Sequence, residues 1–297
     1  MLNAFINQLY IRKFVRIRWC NIQLFKYIKP NITLGIYTLM SSMYLTFNVM
    51  YLGLVSDNTE VGYYTTAFKL YSVLLGFFTA FTSVMLPRMS SLLANGENAR
   101  FQELVDRSCS VVATFCIPLI LYGIILAPQI IYTLSGPEYE GAIFPMRIIM
   151  PAAFAVGMAQ VLAIQILMPM KKDRVLLMAS IIGAIVSLLI NLLVVPYVAS
   201  VGSAVVLLCS EMVVAATYVV YVLSHRLARI PIRIVWENIC YSLPGALVCW
   251  GCSRWIENEF VVVVCAVILA GTVWIIVQVI AKTSVGERMK SLLLLRR

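Results

Sequence analysis

The sequence is poor in charged residues and contains a single histidine. Only 12% of its 297 residues are charged and 62% are hydrophobic, which is more apolar surface than a soluble domain can bury. With His225 as the only histidine, a histidine-dependent triad or a histidine-rich metal site inside a membrane is excluded. No Walker motif or dinucleotide-binding glycine fingerprint is present. The sequence therefore predicts a protein that is not an enzyme and that needs no cofactor or resident metal.

No disulfide framework is expected either. The eight cysteines lie in apolar segments or in the basic N-terminal stretch, and none falls in a predicted external loop. Cys249 and Cys252 form a C-x-x-C inside a predicted helix, but no further ligands accompany them. Buried cysteines of this kind are ordinary packing residues.

Long apolar segments make up most of the chain. Most have 20 or more residues, enough to cross a hydrocarbon core of about 30 Å. They predict an all-α fold: a polytopic transmembrane helix bundle of about eight spans. The segments are 32–54, 61–87, 108–134, 142–168, 175–197, 201–223, 239–256 and 260–281.

The basic residues indicate how the bundle is oriented. The net charge is +10, but the cations are spread over short loops and both ends, which fits topology signals and anionic membrane lipid and does not fit nucleic acid. All 23 basic residues except Lys69, Arg147 and Arg254 lie before the first segment, in alternate loops or in the C-terminal tail. By the positive-inside rule this predicts a multi-pass inner-membrane protein with both termini cytoplasmic. The intervening loops are too short for an external domain, so we expect the function to lie between the helices.

One lysine lies well inside an apolar run. Lys69 is about eight residues from the start of its segment, roughly 12 Å deep at ~1.5 Å per residue, and a buried ammonium there costs ~3 kcal/mol or more unless it meets a wet cavity or an anion. At 100° per residue, the small or hydroxylated residues that share a helix face with Lys69 are Gly62, Thr65, Thr66, Ser72, Gly76, Ala80 and Ser83. We interpret Lys69 as a cavity residue; the alternative is a lysine that snorkels to a headgroup or pairs with a carboxylate.

Other polar groups also fall inside predicted spans. Glu211 is the only carboxylate there, and such a group can take up and release a proton, so we weigh a coupling-ion role against a structural hydrogen bond or ion pair. Arg147 is about five residues from the external end, where snorkelling explains it as well as substrate contact does. The uncharged candidates for a cavity lining are Asn48, Gln165 and Asn191, with interhelical hydrogen bonds as their alternative use.

The chain resembles Wzx-type polysaccharide flippases of the multidrug/oligosaccharidyl-lipid/polysaccharide superfamily. The resemblance covers about residues 8–223 and rests on four features in order. They are VGYY with a cation several residues on, the VMLPRMS helix exit, Gln165-x-Leu167 before a basic turn, and NLLVVPYVASVGSA.

The resemblance implies a transporter of two six-helix lobes that moves an undecaprenyl-diphosphate-linked oligosaccharide across the membrane by ion-coupled alternating access, driven by a proton or sodium. Lys69 stands where a basic residue is usual, and Asn48 where many members carry an acidic one. On this basis we divide the chain into an inter-lobe linker (1–30), a second lobe (31–225) and two further helices with a basic tail (226–297). A missing N-terminal lobe or a second copy is then the expected partner, because one lobe cannot enclose a two-sided pathway.

Two other functions remain open at this point. A multidrug exporter of the same superfamily favours acidic cavity residues for cationic drugs, which the cationic helix of Lys69 does not match. An inactive or assembly subunit of the membrane obeys the same topology rules as a transporter, so charge patterning does not separate the two.

Overall fold

The computed structural model describes residues 24–281, and within that range the chain is built from helices and short connections. The all-α prediction is thus confirmed. The basic residues before position 24 and the tail from 282 lie outside the described residues. The helices are α1 (Leu24–Val55), α2 (Asn58–Ala94), α3 (Asn98–Ile125), α4 (Ala127–Ser135), α5 (Ile143–Ile149), α6 (Ala152–Gln160), α7 (Asp173–Ser224), α8 (Ile232–Trp255) and α9 (Glu259–Ile280), with a 3₁₀ helix at Pro137–Ala142 and a π-helix at Val161–Leu167.

Within residues 24–281, five helices are long and apolar enough to cross a membrane, namely Asn31–Val55 within α1, and α2, α3, α7 and α9. A sixth span results if the pair Pro137–Ile149 and Ala152–Leu167, which is bent by 45°, counts as one crossing. Pro151 stands at this bend and removes a backbone donor there. All eight predicted apolar segments fall within this helical framework.

The 52-residue helix α7 is a hairpin of two arms, 173–198 and 200–224. Ala199 breaks the helix with φ 44° and ψ −120°. The arms run back along each other: a Cβ at Gly202 would lie 2.9 Å from the Cα of Val195, and a Cβ at Gly183 would lie 2.5 Å from Cγ2 of Val214. Glycine at these two positions lets the arms approach closely. The turn lies in the 198–200 connection expected from the sequence.

Left-handed caps close three helical segments at the same end of the bundle. Gly96, Lys171 and Arg226 have φ values of 72°, 56° and 51°. Each N–H bonds to the carbonyl three residues earlier, and the next residue bonds five residues back, as with Leu227 N to Val222 O at 3.0 Å. This is the Schellman motif, in which glycine is the favoured residue. A lysine and an arginine therefore occupy two positions that suit glycine better.

Contacts between connections show which of them share an end of the bundle. Glu60 reaches Ser200 across 3.0 Å, and Tyr63 packs edge-on against Tyr139, so the connections near 57, 138 and 199 lie together. At the other end, Gln102 binds the backbone of Arg229. The loops that carry acidic residues and the loops that carry basic ones are thus at opposite ends.

The bulky side of α2 faces the core. Tyr64, Tyr71 and Phe78 are all buried at 1% exposure or less and pack with residues of α3, α6 and α7. A second, smaller cluster joins α8 and α9 to the end of α3 through Leu126, Cys249, Val262, Ala266 and Ala270.

Candidate substrate and coupling sites

A chamber of about 240 Å³ has Glu211 in its wall. Glu211 lies on the second arm of α7 and is only 6% exposed. Residues of α1, α2, α6, the π-helix and both arms of α7 line the chamber, which is open on one side. Its polar lining consists of Tyr37, Ser41, Thr79, Gln160, Ser180, Glu211 and Tyr218.

Tyrosine hydroxyls gather near this carboxylate. The hydroxyl of Tyr37 is hydrogen-bonded to Tyr218 and to Ser41. Tyr37, Tyr64 and Tyr218 all lie within electrostatic range of Glu211. Hydroxyls donate as well as accept, so this network can serve either the charged or the neutral form of the carboxyl group.

Gln160 ties the chamber wall to α2. Its Nε2 donates to Thr79 Oγ1 at 3.0 Å, and its Oε1 accepts from Thr82 Oγ1 at 3.3 Å. The π-helix begins at the next residue, Val161. Short π-helical segments within α-helices are frequent at functional sites.

Asn48 joins three helices beside the chamber. Its Nδ2 donates to Tyr64 Oη at 2.9 Å and to Ser203 O at 3.0 Å, and the side chain is 1% exposed. Its Oδ1 and the Oγ of Ser203 have no partner among the described residues. The predicted alternative use of Asn48, an interhelical hydrogen bond, is therefore present.

The other two predicted amides are also interior. Asn191 Nδ2 donates to Ser187 O at 2.9 Å on its own arm of α7, which leaves its Oδ1 unpartnered within the described chain. Gln165 lies in the π-helix at 0% exposure, and both of its terminal atoms lack a partner among the described residues. Buried amide atoms without a hydrogen-bond partner cost free energy.

Lys69 points away from the core. It is exposed, as are Ser72, Gly76, Ala80 and Ser83, and these five residues form what we call the Lys69 face. The helical phase predicted for α2 agrees with this arrangement, since Tyr64, Tyr71 and Phe78 occupy the buried side. Lys69 forms no salt bridge with a carboxylate in residues 24–281. It lies outside the Glu211 chamber.

Arg147 is exposed in the last turn of α5, and its Nε donates to Ile124 O at 3.2 Å. Ile124 belongs to the last turn of α3, where carbonyls have no helical partner. A cation there also complements the negative end of the helix. Arg147 thus satisfies a helix end, and its two terminal nitrogens point to no described acceptor.

The structure separates the predicted residues into two groups. Glu211 stands in the chamber, with Asn48 beside it, whereas Lys69 lies on the outer face of α2. The chamber's tyrosines and Gln160 were missed, because the period of the apolar pattern says which residues share one helix face and does not say which distant helices meet. The signal for Gln160 was available: it is a polar residue within an apolar run.

Comparison with known proteins agrees with this description. A family model described as "Polysaccharide biosynthesis protein" matches residues 3–144. A protein of Escherichia coli (strain K12) described as "Putative O-antigen transporter" is 27% identical over 189 residues, covering 63% of this chain and 45% of that protein. The chain therefore spans less than half the length of this curated relative.

Two solved structures share the fold. The lipid II flippase MurJ in an inward closed conformation superposes with a TM-score of 0.73 at 14% identity, covering 91% of this chain and 57% of that one. An outward-facing multidrug resistance MATE family transporter of the MOP superfamily gives 0.54 at 15% identity, with 84% and 60% covered.

These likenesses identify a multi-pass membrane protein. Its sequence is similar to a polysaccharide biosynthesis family model and to a putative O-antigen transporter, and its helices are arranged as in a lipid II flippase and a MATE family transporter, which confirms the resemblance predicted from its own motifs.

Proposed function

We propose that the protein moves an undecaprenyl-diphosphate-linked oligosaccharide from the cytoplasmic to the external leaflet of the inner membrane during cell-surface polysaccharide synthesis. The similarity to an O-antigen transporter supports the class of cargo. The likeness in fold to a lipid II flippase supports the type of movement. The observation that carries the proposal is Lys69, a cation within an apolar span that is exposed on the same side of α2 as Ser72, Gly76 and Ala80.

A diphosphate suits the Lys69 face. An ammonium group binds phosphate as a point charge with three donors, and small neighbours such as Gly76 and Ala80 leave room for a bulky headgroup. The cost of an intramembrane cation falls when it meets an anion or a wet cavity. Arg147 offers a second cation near the predicted external mouth, with its terminal nitrogens available to the diphosphate.

Glu211 is our candidate for ion coupling. It is buried among hydroxyl groups in a chamber large enough for water, so it can bind and release a proton or take part in holding sodium. The amides Asn48, Gln165 and Asn191 are interior, so contact between them and the oligosaccharide requires the helices to separate during the cycle. Alternating access supplies such a separation.

The Lys69 face needs an opposing surface to form a closed path. The chain spans 57% of the flippase and 60% of the multidrug transporter, so both proteins have further chain beyond the matched part. We propose that an N-terminal lobe or a second copy of this chain covers the Lys69 face here.

Flipping in proteoliposomes tests the proposal. The full chain is reconstituted with a prenyl-diphosphate-linked disaccharide carrying a fluorophore, and the fraction reached by a membrane-impermeant quencher is followed. Lys69→Ala is expected to lower the flipping rate at least tenfold, and Lys69→Arg is expected to retain part of the parental rate. The control is Lys172→Ala, which removes a cation at a helix connection and should keep the parental rate. A normal rate for Lys69→Ala contradicts the role of Lys69.

The same assay separates the alternatives. Efflux of cationic dyes without movement of the prenyl-linked sugar supports a multidrug exporter, the function of the MATE neighbour. Movement of neither compound, with the protein correctly inserted and supplied with its partner lobe, supports an assembly subunit.

A further inference from the structure

An apolar cleft opens on the outer surface of the bundle, on a different side of the second α7 arm from the chamber. It has a volume of about 280 Å³ and is bounded by α3, α6, α7 and α8. Met212, Ala216 and Val219 line it, whereas Glu211, Val214 and Tyr218 line the chamber. At 100° per residue these two sets are centred about 130° apart on the helix, so the cleft and the chamber are separate spaces.

The cleft continues into a basic pocket at the end of the bundle that carries the basic loops. This second space, about 540 Å³, is lined by the connection that follows α7, including Arg226 and Arg229. Leu223 and Ile230 line both spaces, so one continuous surface runs from an apolar slot to two guanidinium groups.

The two arginines are exposed, and neither makes a salt bridge within the described chain. Their neighbours differ: Arg107 and Arg233 are paired with Glu103 and Glu237. The nearby carboxylate of Asp106 accepts from Gln102 Nε2 at 2.8 Å and does not line the pocket.

The backbone under these arginines is fixed in place. Gln102 Nε2 donates to Arg229 O at 3.0 Å, and its Oε1 accepts from Arg229 N at 2.9 Å. Arg226 occupies a left-handed cap with φ 51°, a conformation that favours glycine and costs a side-chain-bearing residue about 1–2 kcal/mol. A strained position that keeps a charged residue is a reason to look for a ligand.

We propose that this surface binds one anionic phospholipid, with an acyl chain in the cleft and the phosphate headgroup between Arg226 and Arg229. The cleft and the arginine pocket match the two chemical parts of such a lipid. A slot lined by alanine, methionine and valine suits a hydrocarbon chain, and two unpaired guanidinium groups suit a phosphodiester. The arginines lie in the connection between two apolar helices, where the sequence predicts the headgroup region and where a phospholipid joins its two parts.

Native mass spectrometry of the full-length protein tests the proposal. Phosphatidylglycerol and phosphatidylethanolamine with identical chains are titrated, and retained lipid is counted. We expect phosphatidylglycerol to bind at least tenfold more tightly. Replacing the two arginines by Arg226→Gly and Arg229→Gln is expected to weaken its binding about 10- to 30-fold, since each juxtamembrane cation contributes about 1 kcal/mol to anionic lipid binding.

Further variants separate lipid binding from effects on folding and from effects of overall charge. Arg226→Gly replaces a strained residue by the favoured one, so its melting temperature is expected to hold or rise while lipid is lost. Lys172→Gln with Arg174→Gln removes two cations from the same end of the bundle but outside the pocket, and should keep the lipid. For the cleft, Ala216→Phe fills the slot and should displace the acyl chain, whereas Val220→Phe lies on the same arm outside it and should have no effect.

Several results would overturn the proposal. Glycerol 3-phosphate binding as tightly as phosphatidylglycerol would mean a headgroup site without a chain. Preference for a polyprenyl diphosphate over phosphatidylglycerol would make the surface an entry point for cargo instead. Unchanged lipid retention in Arg226→Gly with Arg229→Gln, or in Ala216→Phe, would remove the arginine pocket or the cleft from the site.

Discussion

The carboxylate of Glu60 accepts a hydrogen bond of 3.0 Å from the backbone N–H of Ser200. It thereby joins the first turn of α2 to the first residue of the second α7 arm, a separation of 140 residues along the chain. The N-terminus of a helix carries partial positive charge and unpaired N–H groups, so an anion there is stabilising. The same Glu60 offers its own N–H to Asp57 Oδ1 at 2.9 Å.

Removal of this contact should loosen the acidic end of the bundle. Glu60→Ala is expected to lower stability by about 1 kcal/mol, in line with the loss of an N-terminal cap, and Glu60→Gln by less because its oxygen still accepts. Thermal unfolding in detergent measures both changes. Equal effects of the two substitutions would mean that charge alone matters at this position.

A glycine in the turn between the α7 arms should raise the stability of the protein. Ala199 has φ 44° and ψ −120°, a region that costs a residue with a Cβ about 1–3 kcal/mol. Ala199→Gly is therefore expected to stabilise the protein by about 1 kcal/mol after the larger entropy of the unfolded chain is subtracted. The matched control is Ala216→Gly, in a regular exposed part of the same helix, which should destabilise by up to about 1 kcal/mol.

The close contact between the α7 arms can be tested by asking whether a second substitution restores the stability lost by a first. A Cβ at Gly183 would lie 2.5 Å from Val214 Cγ2, so Gly183→Ala should cost about 1–3 kcal/mol through overpacking. Val214→Ala removes the clashing methyl groups, and the double variant should recover much of the loss. Additive destabilisation in the double variant would contradict the packing of the hairpin.

The Lys69 face can be blocked without disturbing the core. A Cβ added at Gly76 would meet no other atom within 4 Å, so Gly76→Leu should leave the melting temperature close to that of the parent. If cargo passes along the Lys69 face, this substitution lowers flipping of the prenyl-linked sugar at least several-fold. Gly251→Leu, also at an open position but on α8, is the control and should flip normally.

The substitution Glu211→Gln tests ion coupling because it removes the charge of the side chain and keeps its size. Flipping by the parent protein is expected to respond to an imposed proton or sodium gradient, and the variant to become indifferent to it. Glu60→Gln removes a carboxylate outside the chamber and should retain the response. A gradient response that survives in Glu211→Gln would exclude Glu211 as the coupling group.

Sequence reasoning predicted the helices well because spans are set by length and apolarity, which any window along the chain displays. It also placed the break near 199 and the side of α2 on which Lys69 lies, since α2 keeps one helical phase over its whole length. The predicted span 142–168 is different. It consists of the end of a 3₁₀ helix, two short α-helices and a π-helix, so angles counted at 100° per residue lose their meaning there.

That loss of phase explains which chamber residues the sequence did not reveal. Gln160 faces Thr79 and Thr82, whereas Gln165, five residues on, has no described partner. Tyr37 and Tyr218 meet although 181 positions separate them in the sequence. Such meetings depend on how helices pack, and a single sequence carries no direct record of that.

The second arm of α7 faces two environments at once. Glu211 lines the chamber and the next residue, Met212, lines the outer cleft. Because a helix turns as a rigid rod, any rotation of this arm that changes the access of ions to Glu211 must also reshape the cleft. On our proposals that Glu211 couples ions and that the cleft holds a phospholipid, this arm would link transport mechanically to the composition of the surrounding bilayer.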